Sequence, residues 1–176
     1  MPNLITFGRL VLATVSFALM FFGQWAIAFF SLLIAVLMDV ADGKLARHLN
    51  QVTKQGIFLD VMVDKIVIIS AFFIIGLEIN IIFFYLALLM LIREYSMDTM
   101  RSIIASKNTA VSADKFSKIK GVIFMISMVG MIYNKAFNND IIIWQDFFEI
   151  LSSAGMIFAY ITLIRFFIKY KKQLLS

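Results

Sequence analysis

Four aspartates, Asp39, Asp42, Asp60 and Asp64, interrupt apolar stretches within a short segment of the chain. The first two are three residues apart and the second two are four apart, so each pair shares one face of a helix. An aspartate at the centre of a membrane helix costs about 2.5–3.5 kcal/mol on insertion scales, and clustered carboxylates also repel one another. Carboxylate oxygens suit Mg²⁺ or Mn²⁺, and four carboxylates suffice to bridge two ions. The spacing therefore predicts a site for two divalent cations.

Small residues accompany these aspartates. Gly43 follows Asp42 directly and Ala46 lies about one helical turn further on, which leaves room for a bound molecule close to the backbone. A plainer alternative is that the aspartates are solvated, or are paired with basic neighbours such as Lys44, Arg47, Lys54 and Lys65.

The composition of the 176-residue chain excludes a soluble domain. Hydrophobic residues make up 62% and charged residues 15%, whereas soluble domains have about 45–50% and 25%. A domain of this size cannot bury that excess, so the surplus must face lipid. The net charge of +5 is expected from Lys and Arg at the cytoplasmic face of a membrane, and we expect no nucleic-acid partner.

Continuous apolar runs predict an all-α polytopic membrane protein with six transmembrane helices in a single domain, residues 1–176. The predicted runs are Ile5–Phe22, Trp25–Met38, Ile57–Leu77, Ile81–Ala105, Lys118–Tyr133 and Ile141–Ile168. The second run is short for a crossing. The sixth could instead begin as a surface helix, because the polar segment Gln145–Glu149 interrupts it.

The distribution of basic residues predicts the orientation. If the N-terminus is inside, Lys135 alone among the 16 Lys and Arg residues lies near an outer connection. The positive-inside rule therefore places both termini in the cytoplasm, in a multi-pass protein of the cell membrane whose active site is at the cytoplasmic face.

The motif Asp39-x2-Asp42-Gly43-x2-Ala46-Arg47-x8-Gly56-x3-Asp60-x3-Asp64 resembles the signature of the CDP-alcohol phosphotransferases, a family with a six-helix fold. Two further segments, Pro2–Arg9 and Arg93–Gly121, are similar to the corresponding parts of the phosphatidylglycerophosphate synthases of that family. The likeness thus extends over nearly the whole chain.

The resemblance implies that an alcohol attacks the β-phosphorus of CDP-diacylglycerol and that CMP leaves. Two divalent cations, Mg²⁺ or Mn²⁺, are then the cofactors, with Asp39, Asp42, Asp60 and Asp64 as metal ligands. Asp60 and Asp64 are the expected catalytic residues, and Asp64 is the candidate general base. The CDP group is expected beside Gly43, Ala46, Arg47 and Gly56.

The acceptor implied by the resemblance is sn-glycerol 3-phosphate, with Arg93, Arg101 and Lys118 binding its phosphate. Thr99, Ser117 and Gly121 depart from the pattern expected on this acceptor side, so a cardiolipin synthase, whose acceptor is phosphatidylglycerol, stays an alternative. A divalent-cation transporter and a purely structural membrane subunit are remoter alternatives. Membrane lipids are expected partners, and a homodimer stays open.

Overall fold

The computed structural model describes residues 2–48, 54–107, 115–137 and 141–175, and every secondary-structure element in these ranges is an α-helix. The helices are α1 (Pro2–Phe21), α2 (Trp25–His48), α3 (Lys54–Glu78), α4 (Ile81–Ser106), α5 (Lys115–Phe137) and α6 (Ile142–Leu175). The prediction of an all-α protein with six helices is confirmed at this level.

Helix α2 is longer, and helix α6 more continuous, than the apolar pattern indicates. Helix α2 continues beyond Met38 to His48, so the segment from Asp39 to Arg47 is helical although it lies outside the apolar run. Helix α6 passes through Gln145–Glu149 without a break, so the sixth run is one helix of 34 residues and not a surface helix followed by a span.

The outer surface of the helices is apolar. Two stretches, Ile119–Phe137 and Ile142–Lys171, are long and apolar enough to cross a membrane, and Thr6–Phe21 and Trp25–Met38 are shorter apolar stretches. Large apolar side chains are exposed on all six helices, among them Phe7, Phe30, Phe58, Tyr95, Ile126 and Ile157. An exposed apolar surface of this extent is typical of proteins that contact lipid.

A core of interlocked apolar side chains holds the helices together. Phe72, Phe83 and Met131 are completely buried in it. Helices α3 and α4 approach closely at Gly76, where an added Cβ would lie 2.2 Å from the backbone nitrogen of Phe84. The glycine is therefore required by the close crossing of these two helices.

The two ends of the bundle differ in charge. At one end, Asn80 caps α4 by accepting a hydrogen bond from the Ile82 N–H (3.0 Å) and donates from Nδ2 to Glu149 Oε2 of α6 (2.8 Å). The Lys135 ammonium lies at the same end, 6.0 Å from the centre of the Trp25 ring. The ion pairs described below lie in the other half of the bundle, where they join residues in the first halves of α1, α3 and α5 and in the second half of α4.

Candidate active site

A buried arginine of α1 joins the two aspartates of α3. Arg9 Nη2 lies 3.0 Å from Asp60 Oδ1, and Arg9 Nη1 lies 3.1 Å from Asp64 Oδ1. Arg9 is 4% exposed, whereas both aspartate side chains are 48% exposed. Because Asp60 and Asp64 stand on successive turns of one face, a single guanidinium reaches both of them. Arg9 thereby orients the carboxylates while leaving them accessible.

The other predicted residues of the aspartate motif are placed by their helices. Asp39, Asp42, Gly43, Ala46 and Arg47 all belong to α2, and their side chains lie outside what the structure describes. Continuous helix over this segment keeps the first aspartate pair on one face of α2, as the spacing predicts. Gly56 is partly buried in the first turn of α3.

A second charged cluster is centred on Glu94 of α4. Glu94 Oε1 accepts hydrogen bonds from Lys120 Nζ of α5 and from Arg93 Nη1, and Glu94 Oε2 lies 3.4 Å from Lys65 Nζ of α3. Lys65 also donates to Asp98 Oδ2 at 2.5 Å. One carboxylate therefore gathers cations from three helices.

Arg93 itself is buried and directed at α6. Its Nη2 donates to Thr162 Oγ1 (3.1 Å) and its Nε to the carbonyl oxygen of Ala159 (3.4 Å), and the residue is 2% exposed. Arg101 lies two turns further along α4 and is partly exposed. Lys118 belongs to the first turn of α5, and its side chain lies outside the described part of the chain. The assignment of these three residues to an acceptor phosphate stays a prediction, and the described contacts of Arg93 are with Glu94 and α6.

A cavity of about 510 Å³ brings the two clusters together among helices α1 to α5. Its charged lining consists of Arg9, Asp64, Lys65, Glu94 and Lys120. The rest of its wall is largely apolar, with side chains such as Val67, Met90 and Met128. The carboxylate of Asp64 and several cations therefore face one space that also has a largely apolar wall.

Sequence reasoning did not single out Arg9, Glu94 and Lys120 as site residues, although all three stand within predicted membrane runs. Their position could have identified them, because a charged side chain inside an apolar run has a high free energy of insertion into the membrane, as an aspartate has, and needs a partner. Their partners could not be named from the sequence, because Arg9 and Asp60 are 51 residues apart in the chain.

The donor set at the aspartates fits a hard divalent cation. Within the described ranges no group of three or more His, Cys, Asp or Glu side chains is close enough to hold a metal. Asp60 and Asp64 contribute two accessible carboxylates, and the other two predicted ligands, Asp39 and Asp42, are among the side chains that are not described. Carboxylate oxygens are the ligand type that Mg²⁺ and Mn²⁺ prefer.

Comparison with known proteins identifies the family. Residues 1–164 match the family model described as CDP-alcohol phosphatidyltransferase, and the chain belongs to this family. The chain is 32% identical over 178 residues to a CDP-diacylglycerol–glycerol-3-phosphate 3-phosphatidyltransferase of Wigglesworthia glossinidia brevipalpis, which covers 94% of this chain and 92% of the relative. A Bacillus subtilis (strain 168) protein with the same description is 34% identical over 88 residues, covering 50% of this chain and 45% of the relative.

A shorter likeness concerns a protein with another acceptor in its name. A CDP-diacylglycerol–inositol 3-phosphatidyltransferase of Rattus norvegicus is 42% identical over 64 residues, which is 36% of this chain and 30% of the relative. All three relatives name CDP-diacylglycerol as the donor. Two of them name glycerol 3-phosphate as the acceptor, and the third names inositol.

Proposed function

We propose that this chain is a membrane phosphatidyltransferase that moves the phosphatidyl group of CDP-diacylglycerol to sn-glycerol 3-phosphate, giving phosphatidylglycerophosphate and CMP. The observation that carries the proposal is the shared cavity, in which Asp64 faces the cations Lys65 and Lys120 beside an apolar wall. The description of the Wigglesworthia relative, similar over 94% of this chain, names the same reaction.

Asp64 is the proposed general base for the acceptor hydroxyl. Phosphoryl transfer depends mainly on the positioning of the reactants and on neutralisation of charge. The carboxylate of Asp64 is accessible and its direction is set by Arg9, at 3.1 Å, so it can accept the proton as the hydroxyl oxygen attacks phosphorus. The hydroxyl oxygen bonds to the β-phosphorus as the bond to CMP breaks, and CMP carries away the bonding electron pair.

Two divalent cations, Mg²⁺ or Mn²⁺, are the proposed cofactors, with Asp39, Asp42, Asp60 and Asp64 as ligands. When bound, they would neutralise the charge of the diphosphate and of the leaving CMP. The accessible carboxylates of Asp60 and Asp64 support this proposal. We propose that Gly43, Ala46, Arg47 and Gly56 border the CDP group.

An acceptor with its own phosphate suits the cationic side of the cavity. Lys65 and Lys120 line it, and we propose that Arg101 and Lys118 add positive charge at its entrance. Charge-assisted hydrogen bonds from such groups favour a phosphate over a neutral alcohol. Glycerol 3-phosphate carries that phosphate, whereas free inositol does not.

We further propose that all six helices cross the membrane, with both termini and the charged end of the bundle at the cytoplasmic face. The ion-paired residues Arg9, Lys65 and Lys120 lie in the first halves of their helices, whereas Lys135 is at the opposite end of the bundle, which supports this orientation. The exposed apolar side chains on every helix support full immersion in lipid. A homodimer stays a prediction.

The experiment that tests the function is an acceptor panel with purified protein, CDP-diacylglycerol and Mg²⁺ or Mn²⁺. We expect CMP release with glycerol 3-phosphate, and none when a chelator removes the metal. Release with phosphatidylglycerol but not with glycerol 3-phosphate would establish a cardiolipin synthase instead. Release with free inositol alone would overturn the argument from the cationic cavity.

A further inference from the structure

The carboxylate of Glu94 is the common partner of three cations. Lys120 reaches it from α5, Lys65 from α3, and Arg93 from the adjacent position of α4. Three positive groups so close together repel one another, and lysine side chains are long and flexible, so they require a fixed anion to share one place. Glu94 supplies that anion.

Arg93 fixes Glu94 in turn. Arg93 has one hydrogen bond to Glu94 Oε1 at 2.5 Å and two to α6, at Thr162 Oγ1 and the Ala159 carbonyl oxygen. Because Arg93 is 2% exposed and its described hydrogen bonds engage Nε, Nη1 and Nη2, it is placed to brace Glu94. Glu94 is therefore linked to α6 through Arg93.

Both lysines lie on the wall of the cavity that Asp64 also lines. Lys120 is 8% exposed, so its ammonium group is confined to this space and to Glu94. Lys65 has Asp98 as a second anionic partner, which holds it from the side of α4. Two ammonium groups are thus presented together, next to the proposed general base.

We propose that Glu94 is a positioning residue, which holds Lys120 and Lys65 in the arrangement that receives the phosphate of the acceptor, and that Arg93 anchors it from α6. The inference rests on the proposed function, since it assigns the two ammonium groups to the acceptor of that reaction. In this assignment Glu94 acts on the acceptor through the two lysines.

Two effects of Glu94 oppose each other, and the KM for glycerol 3-phosphate separates them. As an anion, Glu94 repels a phosphate, so removal of its charge would lower this KM if repulsion dominated. As a positioning group, it supplies a preformed pair of ammonium groups, so its removal raises the KM. We expect positioning to dominate because three cations share one carboxylate. Fixing their side chains costs conformational entropy. Glu94 fixes them before the acceptor binds, whereas without Glu94 that cost would reduce the binding free energy of the phosphate.

The test is the kinetics of Glu94→Gln, which preserves the size of the side chain. We expect the KM for glycerol 3-phosphate to rise by about tenfold or more, the expected effect of losing a charge-assisted contact. The KM for CDP-diacylglycerol should change by less than about twofold, because the donor is assigned to the aspartates and α2. A lower KM for glycerol 3-phosphate, or an equal rise for both substrates, would overturn the proposal.

Glu149→Gln is the matched control, since Glu149 also accepts an interhelical hydrogen bond, from Asn80 at 2.8 Å, but at the opposite end of the bundle. Both KM values should stay as in the wild type. A wild-type protein that releases no CMP with glycerol 3-phosphate would instead disprove the proposed function. An active wild type with an unchanged KM in Glu94→Gln would disprove this inference alone.

A milder variant keeps the inference testable if Glu94→Gln does not fold. Thr162→Val removes the hydroxyl that accepts from Arg93, and it should raise the KM for glycerol 3-phosphate by about threefold while the donor KM is unchanged. Ser152→Ala is its control, because Ser152 is a fully buried hydroxyl of the same helix that donates to the Phe148 carbonyl oxygen. Identical acceptor KM values for these two variants would count against the anchor.

Discussion

Replacement of Arg9 by methionine removes the positive charge between Asp60 and Asp64 and preserves most of the side-chain volume. The two carboxylates then face each other on successive turns of α3 without the buried guanidinium that now bridges them. We expect lower stability, because both charge-assisted hydrogen bonds are lost. We also expect lower activity, because Asp64 is no longer held in one direction.

The size of the stability loss follows from the geometry. Charge-assisted hydrogen bonds contribute about 1.5–3 kcal/mol each, and the contribution falls when water screens one partner. Both aspartate side chains are 48% exposed, so half of that range is a reasonable value for each bond. The two bonds then total about 1.5–3 kcal/mol, which lowers Tm by about 3–12 °C for a chain of this length.

Thermal unfolding in detergent, followed through the fluorescence of Trp25 and Trp144, measures this effect. Arg165→Met is the control, because Arg165 is an exposed arginine of α6. The Tm of Arg9→Lys should lie between those of the wild type and Arg9→Met. An ammonium group keeps the positive charge but cannot bridge both carboxylates as the guanidinium does. If Arg9→Met unfolds at the same temperature as Arg165→Met and has wild-type activity, the role assigned to Arg9 is wrong.

Three further predictions concern the metal site, the topology and the packing. Asp60→Asn should purify normally but lose turnover, with kcat and kcat/KM falling together, and near-normal activity at saturating Mg²⁺ would contradict the metal assignment. A cysteine placed at Gln51 of this cysteine-free chain should react with an impermeant reagent only after the cells are opened; labelling of intact cells would reverse the orientation. Gly76→Ala should lower Tm, because its Cβ would lie 2.2 Å from the Phe84 backbone, whereas Gly121→Ala meets nothing within 4 Å; equal Tm values would contradict the close crossing of α3 and α4.

The apolar runs predicted all six helices, but they placed the end of α2 too early and left open a break in α6. Hydropathy reports where a helix can face lipid, and it falls at Met38 when the charged residues of α2 begin. The backbone hydrogen bonds of a helix do not depend on side-chain hydropathy, so α2 continues to His48. Likewise, the polar residues of Gln145–Glu149 interrupt the apolar run but not α6.

The family and the aspartate motif could be recognised from residue types at fixed spacing, because those residues are close in sequence and local helical geometry relates them. The partners of the charged residues required the packed bundle. Arg9 meets Asp60 across 51 residues, Lys120 meets Glu94 across 26, and Arg93 meets Thr162 across 69. Charge and hydropathy along the chain indicate that such groups need partners. Which groups meet depends on how the helices pack, and this depends on non-local contacts such as the close approach of Gly155 in α6 to Ile123 in α5.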